Sequence, residues 1–559
     1  MTTARPLDET TADDLLKPDA YPDDPSTASG LHQIQTHISR VFLSGERVYK
    51  FRKPVAFDFV DFSTIEARNH DCCREVELNR RLAANVYFGI APLLTVSGHA
   101  VVGPVGETIV DPTLEHCVVM RRLPDGRDGL SLLDKNLLGV SEIDQTAERI
   151  AEFHRHAQLT PVPVLDRETW YARVSGPMLA NFESFDDETA SVDDSDQDPD
   201  QPSLQQTMSS LRRATKAALA ANRETLETRR LAGKVVDGHG DLHVAHLWFD
   251  ESSPDVLVVD CLEFRDDLRQ IDQAADVAFL AMDLTYRGRA DLAGRFVRRY
   301  ARAIDDYGLY EVLDLFCAYR ATVRAKVAHL SAIAPEIPAS QRENASHSAK
   351  RHAELGLQFL AAQRRPGLVV MTGTVGSGKS TVAEYLADAL DAVVISSDHV
   401  RRHVHATAAA TDAAAASGPG TGRYEPELKQ QVYEEMLNRA EAVVRSGRVA
   451  ILDATFSKTT TRDAARRWAA DHSLPAWLVR AEISPEVARS RLHVRSIRGQ
   501  DASEAGPELL EYSLNNYEAP EEWPADCIFG VRTDPTDWHQ SLEPIVATIA
   551  QGTRIPSKG

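Results

Sequence analysis

The stretch GTVGSGKST, Gly373–Thr381, decides the fold of the C-terminal half of this 559-residue chain. It follows the apolar run LVVM at 368–371, which is typical of a buried strand. It precedes a helical pattern in which Val382 and Leu386 share one face. A strand, a glycine-rich loop ending in Lys-Ser and a helix together form the pattern of a phosphate-binding P-loop. The sequence therefore predicts a site for ATP or GTP in this half.

The loop positions match the chemistry of a polyphosphate. Glycines allow backbone N–H groups to turn towards phosphate oxygens at φ angles that other residues resist. Lys379 supplies a positive charge for the β- and γ-phosphates, and Ser380 offers a hydroxyl to Mg²⁺. The other residues predicted to contact the nucleotide are Gly373, Thr374, Gly376, Ser377, Gly378 and Thr381.

Composition narrows the classes of partner. The formal net charge of -21 argues against broad attraction to nucleic acid or to an anionic membrane. No apolar run approaches the length needed to cross a bilayer, and the opening residues show no secretory pattern. The six cysteines form no CxxC pair and no disulfide-like framework. We therefore expect a cytoplasmic protein with no membrane partner.

The order of patterns along the chain predicts two domains preceded by an arm. Residues 1–30 are acidic and dotted with proline, which predicts a disordered arm. An N-terminal domain over 31–363 carries an acidic insertion at about 185–202, and a C-terminal domain covers 364–559. Within the latter, the Ala/Gly/Thr-rich segment 405–422 is predicted to be a mobile loop near the nucleotide.

The C-terminal domain alternates strand and helix patterns. This alternation is typical of an α/β fold with a doubly wound parallel sheet. The strands are predicted at 368–371, 392–396, 449–453, 477–482 and 526–531.

Two carboxylates stand at predicted strand ends, where ligand sites collect in open parallel sheets. Asp398 follows the second strand and Asp453 ends the third. In P-loop kinases that act on hydroxyl groups, one such carboxylate accepts the hydroxyl proton and the other supports Mg²⁺. Arg401 is placed to hold an anionic group of the acceptor. The alternative for Asp398 is a helix cap.

Arginines recur on the helix that follows Ser484. Arg491 and Arg495 are four residues apart and share a face, which suits a lid that closes over phosphates. The alternative is a solvated helical face. His399 and His403 are also one turn apart, but without a third ligand in view the sequence favours surface histidines over a metal site.

The segments SSDHVRRH, RYEPELKQQVYEEM, VAILDATFSKTTTRDAARRWA and EVARSRLHVRS resemble P-loop small kinases grouped with gluconate kinases, polynucleotide 5′-kinases and zeta-type toxins. The resemblance extends from about Gly367 to the end of the chain. Acceptors vary within this group, so the motifs indicate the reaction type better than the substrate. The roles it implies are base for Asp398, acceptor ligand for Arg401 and lid residues for Arg491 and Arg495.

A second constellation lies upstream, in VVDGHGDLHVAHLWF at 235–249 and VLVVDCLEF at 256–264. Two hairpin-linked strands would bring Asp241 and Asp260 to one cleft, where one activates a hydroxyl and the other binds Mg²⁺. Further upstream, Lys50 lies on a predicted strand and Glu75 on a predicted helix. A Lys–Glu pair of this layout positions ATP phosphates in protein-kinase-like folds of the α+β class.

These motifs resemble the aminoglycoside phosphotransferase and choline kinase family, whose signature is HGD, four residues, Asn and a distal Asp. The resemblance implies that Asp260 and the residue at the Asn position hold Mg²⁺. In this sequence that residue is His246, and imidazole is a poorer ligand for so hard a cation. The resemblance also places the adenine contact at Glu115–Leu123 and the loop over the phosphates at Ser39–Gly45.

Together the two halves resemble bacterial fused proteins that join an aminoglycoside phosphotransferase-like domain to an ATP-binding domain. This implies a bifunctional, ATP- and Mg²⁺-dependent kinase that phosphorylates hydroxyl groups of small molecules. Two alternatives stay open. The C-terminal half is a polynucleotide or nucleotide 5′-hydroxyl kinase with a short acceptor, or the chain is a nucleotide-gated regulator whose N-terminal half is a pseudokinase.

Overall fold

The computed structural model describes residues 7–57, 60–159, 165–186, 202–251, 253, 255–335, 337–361, 364–409, 426–498 and 508–553. The chain divides into two compact units. The N-terminal unit comprises residues 1–174 and 229–288, and the C-terminal unit comprises 175–228 and 289–559. Most of the predicted acidic insertion and of the predicted mobile loop lies outside the described residues.

The strands are, in chain order, β1 (His32–Gln35), β2 (Ser39–Leu43), β3 (Arg47–Arg52), β4 (Ala56–Phe57), β5 (Val60–Asp61), β6 (Tyr87–Val96), β7 (His99–Val102), β8 (His116–Arg121), β9 (Val235–Asp237), β10 (Leu247–Trp248), β11 (Leu257–Val258), β12 (Gln270–Asp272), β13 (Gly367–Thr372), β14 (Val393–Ser396), β15 (Val449–Asp453), β16 (Ala476–Glu482) and β17 (Ile528–Arg532).

The helices are, in chain order, α1 (Glu9–Asp14), α2 (Ile65–Ala83), α3 (Gly129–Asp134), α4 (Val140–His156), α5 (Arg167–Ala180), α6 (Leu204–Ala221), α7 (Arg223–Leu231), α8 (Asp266–Arg269), α9 (Gln273–Tyr286), α10 (Ala290–Ile304), α11 (Tyr310–Ile333), α12 (Ala339–Ala361), α13 (Lys379–Leu390), α14 (Ser397–Ala409), α15 (Pro426–Arg445), α16 (Thr459–Asp471), α17 (Pro485–Arg498), α18 (Glu508–Asn515) and α19 (Glu543–Gly552). Among the described helices, none is both long and apolar enough to cross a membrane.

The N-terminal unit is built around an antiparallel sheet with the strand order β1-β2-β3-β8-β6-β7. The strand predicted for Lys50 is confirmed as β3, which pairs with β2, and the helix predicted for Glu75 is confirmed as α2. In this sheet Lys50 on β3 pairs with Val118 on β8, so β3 lies next to the segment predicted to contact adenine. The predicted kinase-like α+β arrangement of a lysine strand followed by a long helix is therefore present.

The prediction of a disordered acidic arm is wrong from Leu7 onward. Leu15 and Tyr21 are buried in a cluster that includes residues of β2, β3 and β6. The Asp24 carboxylate accepts hydrogen bonds from the Ser44 hydroxyl at 2.7 Å and the Tyr49 hydroxyl at 3.1 Å. The prediction of disorder relied on the acidic composition and gave no weight to these few apolar side chains. Their burial against the sheet stabilises the ordered segment.

The predicted strands around the HGD motif are also present. β10 and β11 form an antiparallel hairpin, with Trp248 opposite Leu257. His246, just before this hairpin, lies 3.7 Å from Asp241 Oδ2 and 3.6 Å from Asp260 Oδ2, so both aspartates lie beside the same imidazole. The predicted meeting of the two aspartates in one cleft is therefore correct.

The C-terminal unit contains a parallel sheet with the order β14-β15-β13-β16-β17. All five predicted strands are confirmed, and so is the doubly wound α/β class. The central strands are almost continuously apolar because helices cover both faces, and Val369, Ile451 and Val479 are fully buried. The winding direction reverses at β13, the position where ligands bind at the carboxyl ends of such sheets.

Helices that precede the parallel sheet in sequence belong to the same unit. Arg302 on α10 bonds Glu384 on α13 at 2.6 Å, and Arg448 bonds Asp314 on α11 at 2.8 Å. These ion pairs join α10 and α11 to the P-loop part of the unit. The predicted domain boundary between residues 363 and 364 stays a prediction.

Candidate active sites

The P-loop runs from the end of β13 to the start of α13 and requires its glycines. Gly373, Gly376 and Gly378 have φ angles of 143°, 78° and 85°, which side chains disfavour. A Cβ atom on Gly373 would also lie 2.5 Å from the carbonyl oxygen of Ala481. The predicted use of glycine at these positions is thus explained by backbone geometry.

The polar side chains of the loop fit a polyphosphate at the N-terminus of α13. The Lys379 ammonium donates to the Thr374 carbonyl oxygen at 2.8 Å and lies folded over the loop. The Ser377 hydroxyl is buried with no hydrogen-bond partner within the described part of the chain. Ser380 and Thr381 are exposed on the first turn of α13. These donors and the helix N-terminus suit phosphate oxygens.

Asp453 is buried at the end of β15, directly beside the P-loop. Burial raises the pKa of its carboxyl above the ordinary value, although a hydrogen bond with the Ser380 hydroxyl and the charge of Lys379 oppose this shift. The carboxylate and the hydroxyl form an oxygen donor pair of the kind that Mg²⁺ prefers. The structure thus brings together the two residues predicted to support Mg²⁺ in this half, and they fit the ion.

Asp398 and Arg401 lie on the first turns of α14, beside Asp453 in the neighbouring strand. The Arg401 guanidinium donates to Asp398 Oδ1 at 2.9 Å. Burial lowers the pKa of the nearby Lys429 ammonium, and the positive charges of Arg401 and Lys458 lower it further. On this side of the site the charges of Arg401, Lys429 and Lys458 therefore act on one another, although Lys458 also bonds Glu518 at 3.0 Å.

Arg491 lies against the P-loop, as a lid residue would. Its guanidinium donates to the Thr533 hydroxyl at 3.1 Å and to the Thr533 carbonyl oxygen at 2.6 Å. The Thr533 hydroxyl in turn donates to the Ser377 carbonyl oxygen at 2.8 Å. The side chain of Arg495, the second predicted lid residue, lies outside the described residues, although its backbone belongs to α17.

Arg302 is a site residue that the sequence did not reveal. Its guanidinium bonds Glu384, and its positive charge acts on the buried Asp453 carboxyl. Sequence alone shows a row of arginines on an amphipathic helix, which is typical of a solvated face. Only the packing of α10 within the C-terminal unit shows that one of them faces the nucleotide side.

The histidine pair on α14 does meet a third polar group. His403 Nε2 lies 3.5 Å from Asp305 Oδ2, and donor atoms of His399, His403 and Asp305 lie within 4.8 Å of one another. Both Asp305 oxygens, however, accept from the Arg439 guanidinium, at 2.9 and 2.6 Å. That positive charge weakens the cluster as a cation site.

In the N-terminal unit, Lys50 lies between two carboxylates. Its ammonium bonds Glu75 Oε1 and Asp260 Oδ1, each at 2.9 Å. Burial opposes the charged form, but Asp260 and Glu75 raise the pKa of Lys50 above its ordinary value. The predicted Lys–Glu pair is thus formed, and the distal aspartate joins it.

Arg52, on the same face of β3 as Lys50, organises a buried network that the sequence did not reveal. Its guanidinium donates to Asp71 at 2.5 Å and to Glu75 at 2.6 Å, and it also bonds Glu263. Burial raises the pKa of the Glu263 carboxyl to about 8, since one guanidinium must serve three acidic groups. The signal available in the sequence was the two-residue spacing between Lys50 and Arg52, which places both side chains on one face of a strand.

The predicted metal residues His246 and Asp260 face each other, and His243 joins them. His246 Nε2 lies 3.6 Å from Asp260 Oδ2, and His243 Nε2 lies 3.5 Å from Asp241 Oδ2. The His243 and His246 rings have centroids 3.8 Å apart. Burial lowers the pKa of His246, and so does the charge of His243. Despite burial, a hydrogen bond from His243 holds the pKa of Asp241 well below its ordinary value.

The backbone around these residues is held in unusual conformations. Asp260 has a φ angle of 62°, in the left-handed region that few residues other than glycine adopt. The Asp276 carboxylate accepts from the backbone N–H groups of His239 at 2.7 Å and Gly240 at 2.9 Å. Asp276 Oδ2 is also 3.1 Å from Nε2 of the buried His154, so this histidine contacts the carboxylate that holds the HGD loop.

Comparisons with known proteins agree with this arrangement. Residues 75–316 match the phosphotransferase enzyme family, and residues 368–520 match an AAA domain. The uncharacterized proteins Mb2027c of Mycobacterium bovis and Rv2004c of Mycobacterium tuberculosis are each 35% identical to this chain over 480 residues. The alignments cover 84% of this chain and 87% of each relative.

Solved kinases match the C-terminal half more distantly. A gluconokinase from Sinorhizobium meliloti is 19% identical, covers 34% of this chain and 95% of its own, and has a TM-score of 0.25. The APS kinase CysC of Mycobacterium tuberculosis is 18% identical, covers 33% of this chain and 99% of its own, and has the same TM-score of 0.25. At these scores the likeness adds no argument about the site. The chain belongs to the same family as the mycobacterial proteins, and it is a phosphotransferase in which a phosphotransferase-enzyme-family domain is fused to a P-loop kinase domain.

Proposed function

We propose that this chain is a bifunctional, ATP- and Mg²⁺-dependent phosphotransferase that acts on hydroxyl groups of small molecules. The observation that carries the proposal is the arrangement at the P-loop. There the buried Asp453 faces Ser380, and the arginine-paired Asp398 stands beside it. A phosphate-binding loop with one carboxylate for a cation and another for a hydroxyl has the parts that phosphoryl transfer requires.

In the C-terminal site, the oxygen of the acceptor hydroxyl bonds to the γ-phosphorus while Asp398 accepts the hydroxyl proton. The bond from that phosphorus to the β,γ-bridging oxygen breaks, and ADP leaves. Lys379 and Arg491 stabilise the negative charge on the phosphates during transfer. Mg²⁺, held by Ser380 and Asp453, would supply further charge neutralisation at the phosphates.

The cationic side chains near Asp398 favour an acceptor that carries a negative charge. Arg401, Lys429 and Lys458 lie close enough for their charges to interact. An anionic group on the acceptor would relieve this repulsion and orient the hydroxyl towards Asp398. The same feature supports the second candidate, a nucleotide or short polynucleotide 5′-hydroxyl kinase, because such acceptors carry phosphates.

In the N-terminal site, Lys50, Glu75 and Asp260 are proposed to hold ATP, with Asp241 next to the acceptor hydroxyl. The Lys50 contacts at 2.9 Å support this assignment. The presence of imidazole at the position of His246 instead supports the regulatory alternative, in which this half binds nucleotide without turnover. The sequence has no CxxC pair and no disulfide-like cysteine framework, which supports the cytoplasmic location that we propose.

The test uses the full chain with γ-labelled ATP, Mg²⁺ and pooled hydroxyl-bearing metabolites, followed by mass spectrometry of labelled products. The bifunctional proposal expects two products, one lost in Lys379→Ala and the other in Asp241→Asn. Loss of every product in Lys379→Ala, with none lost in Asp241→Asn, would establish the regulatory alternative. A wild-type chain that labels no metabolite, mononucleotide or oligonucleotide contradicts the proposed transfer.

A further inference from the structure

The donor set of the N-terminal cleft does not match the ion that the family resemblance implies. Asp241, His243, His246 and Asp260, here called the His–Asp cluster, supply two imidazoles and two carboxylates. Donor atoms of Asp241, His243 and His246 all lie within 4.8 Å of one another. Mg²⁺ prefers oxygen ligands in octahedral geometry and retains water, so a site rich in imidazole suits it poorly.

The hydrogen bonds of His246 fix which ring nitrogen faces the cleft. Nδ1 lies 2.8 Å from the backbone carbonyl oxygen of Asp241, which only accepts, so Nδ1 carries the proton. With the proton on Nδ1, the neutral tautomer leaves the lone pair of Nε2 facing Asp260 Oδ2 at 3.6 Å. Two electron-rich atoms that face each other across this distance are stabilised by a cation between them. A backbone carbonyl that orients a metal-binding imidazole is the usual supporting contact of such ligands.

Each aspartate of the cluster has a carboxylate oxygen next to an imidazole nitrogen. Asp260 uses Oδ1 for Lys50 and presents Oδ2 to His246. Asp241 Oδ2 lies 3.5 Å from His243 Nε2. Two ligand atoms that each bind one ion at about 2.1 Å are separated by roughly 3.4 Å in tetrahedral geometry. The observed spacings therefore need only small side-chain adjustments.

The charge balance around the cluster also favours a cation. Glu75 and Asp260 both bond Lys50, and Arg52 bonds the same Glu75 together with Asp71 and Glu263. Acidic groups thus outnumber the cations that serve them. The other histidine cluster, by contrast, has Arg439 bound to its only carboxylate.

We propose that the His–Asp cluster binds a divalent transition-metal ion, such as Mn²⁺, Co²⁺ or Zn²⁺, in preference to Mg²⁺. Imidazole nitrogen and carboxylate oxygen together suit these ions, and affinity rises from Mn²⁺ towards Zn²⁺. The inference rests on the proposed function in one respect, because it names the metal of the cleft assigned to N-terminal transfer.

The experiment measures metal binding on the full chain, without nucleotide or acceptor. Chelator-treated protein is titrated with Co²⁺ while its visible absorption is followed, and the affinities for Mn²⁺, Zn²⁺ and Mg²⁺ are measured by calorimetry. We expect one Co²⁺ per cluster with an absorption band typical of imidazole ligation. We also expect Zn²⁺ and Co²⁺ to bind at least about a hundredfold more tightly than Mg²⁺.

Matched variants locate the site. His246→Asn and His243→Asn should each weaken Co²⁺ binding by about tenfold or more. His246→Asn should also lower the ratio of the Co²⁺ affinity to the Mg²⁺ affinity. His70→Asn, an exposed change on α2, should alter neither value. His403→Asn removes a ligand of the other histidine cluster and should leave the Co²⁺ spectrum unchanged.

Equal affinities for Mg²⁺ and Co²⁺ in the wild-type chain would overturn the inference. So would a Co²⁺ spectrum that is lost in His403→Asn and retained in His246→Asn. The ratio of Co²⁺ to Mg²⁺ affinity and the Co²⁺ absorption spectrum of the wild-type chain test the inference even if a cluster variant fails to fold. The metal titration does not measure turnover, so the two proposals can fail separately. A chain that prefers Co²⁺ over Mg²⁺ but transfers no phosphate contradicts only the proposed function. A chain that transfers phosphate but binds Co²⁺ and Mg²⁺ equally contradicts only the metal inference.

Discussion

The P-loop site and the N-terminal cleft handle the same kind of ligand with different parts. At the P-loop, one continuous segment, Gly373–Thr381, supplies the backbone turns, the ammonium and the hydroxyl. In the cleft, Lys50 and Asp260 meet at 2.9 Å although 210 positions separate them in sequence. The first site is therefore a local property of the chain, and the second exists only after the N-terminal unit has folded.

The two sites also differ in how their charges are compensated before a ligand binds. Lys379 donates to the neutral Thr374 carbonyl oxygen at 2.8 Å, and its positive charge acts on the buried Asp453 carboxyl. Lys50 already bonds two carboxylates. A polyphosphate that approaches Lys50 is repelled by Asp260 unless a cation accompanies it. This difference explains why we expect the N-terminal cleft to depend more strongly on metal than the P-loop does.

The largest effect is expected from removing the P-loop ammonium. Lys379→Ala should lower turnover at the C-terminal site by roughly a thousandfold, because a charge that stabilises the transition state is lost. Turnover with the product assigned to this site measures the effect, and circular dichroism verifies the fold. Lys216→Ala, on the exposed side of α6, is the matched control and should leave turnover unchanged. Normal turnover in Lys379→Ala would remove the P-loop from the mechanism.

A smaller loss is expected from neutralising the predicted base. Asp398→Asn should retain ATP affinity and lower transfer by about a hundredfold, the usual scale of base catalysis by a positioned group. Calorimetry with ATP and a single-turnover assay separate binding from chemistry. Asp471→Asn, at the exposed end of α16, is the control. A parallel fall in binding and transfer would show instead that Asp398 serves as a helix cap paired with Arg401.

The contrast between the sites explains what sequence reasoning achieved. The P-loop, its five parallel strands and the positions of Asp398 and Asp453 were predictable, because each depends on a short segment with a regular pattern. The Lys50–Glu75 pair was predictable only through a resemblance. Its geometry depends on β3 and α2 packing together, which local periodicity does not encode.

The residues that were missed act across long sequence separations. Asp276 holds the HGD loop from α9, and Arg52 joins three acidic groups from two distant segments. In sequence these are ordinary charged residues on a helix and on a strand. The segment after Leu7 was misjudged for a related reason, because a few apolar side chains among many acidic ones find their partners only in the folded sheet.

Asp276→Asn tests whether the Asp276 carboxylate holds the conformation of the HGD loop in the N-terminal site. An amide keeps one accepting oxygen, but its nitrogen cannot accept the second backbone N–H of the HGD loop. We expect the free energy of unfolding of the N-terminal unit to fall by about 2 kcal/mol, the scale of a lost bond to a buried charge. Cobalt binding at the His–Asp cluster should weaken as well.

Urea unfolding and the cobalt titration measure these two effects. Asp255→Asn, on the exposed loop between β10 and β11, is the control and should change neither. A variant with wild-type stability and wild-type cobalt binding would show that the HGD loop keeps its conformation without the carboxylate.

The smallest effect concerns the proton on Glu263. Its folded pKa of about 8 lies above the value of 4.5 expected in the unfolded chain, so the folded state binds the additional proton. This contribution to stability is fully present below pH 4.5 and is lost as the pH rises through about 8. Glu263→Gln imitates the protonated carboxyl and removes this pH dependence. The melting temperature of the variant should therefore rise relative to wild type, by a few degrees, between about pH 5 and pH 9.

Thermal unfolding across this range measures the difference, with Glu251→Gln as the exposed control. Parallel profiles for wild type and Glu263→Gln would mean that Arg52 neutralises all three acidic groups and that Glu263 stays ionised. The P-loop site has no comparable network among its described residues, so a shift confined to the unfolding of the N-terminal unit is expected. Such a result would show that the cleft keeps its side chains in place by sharing a proton among crowded carboxylates, whereas the P-loop keeps its shape through glycine backbone and hydrogen bonds such as that from Thr533 to the Ser377 carbonyl oxygen.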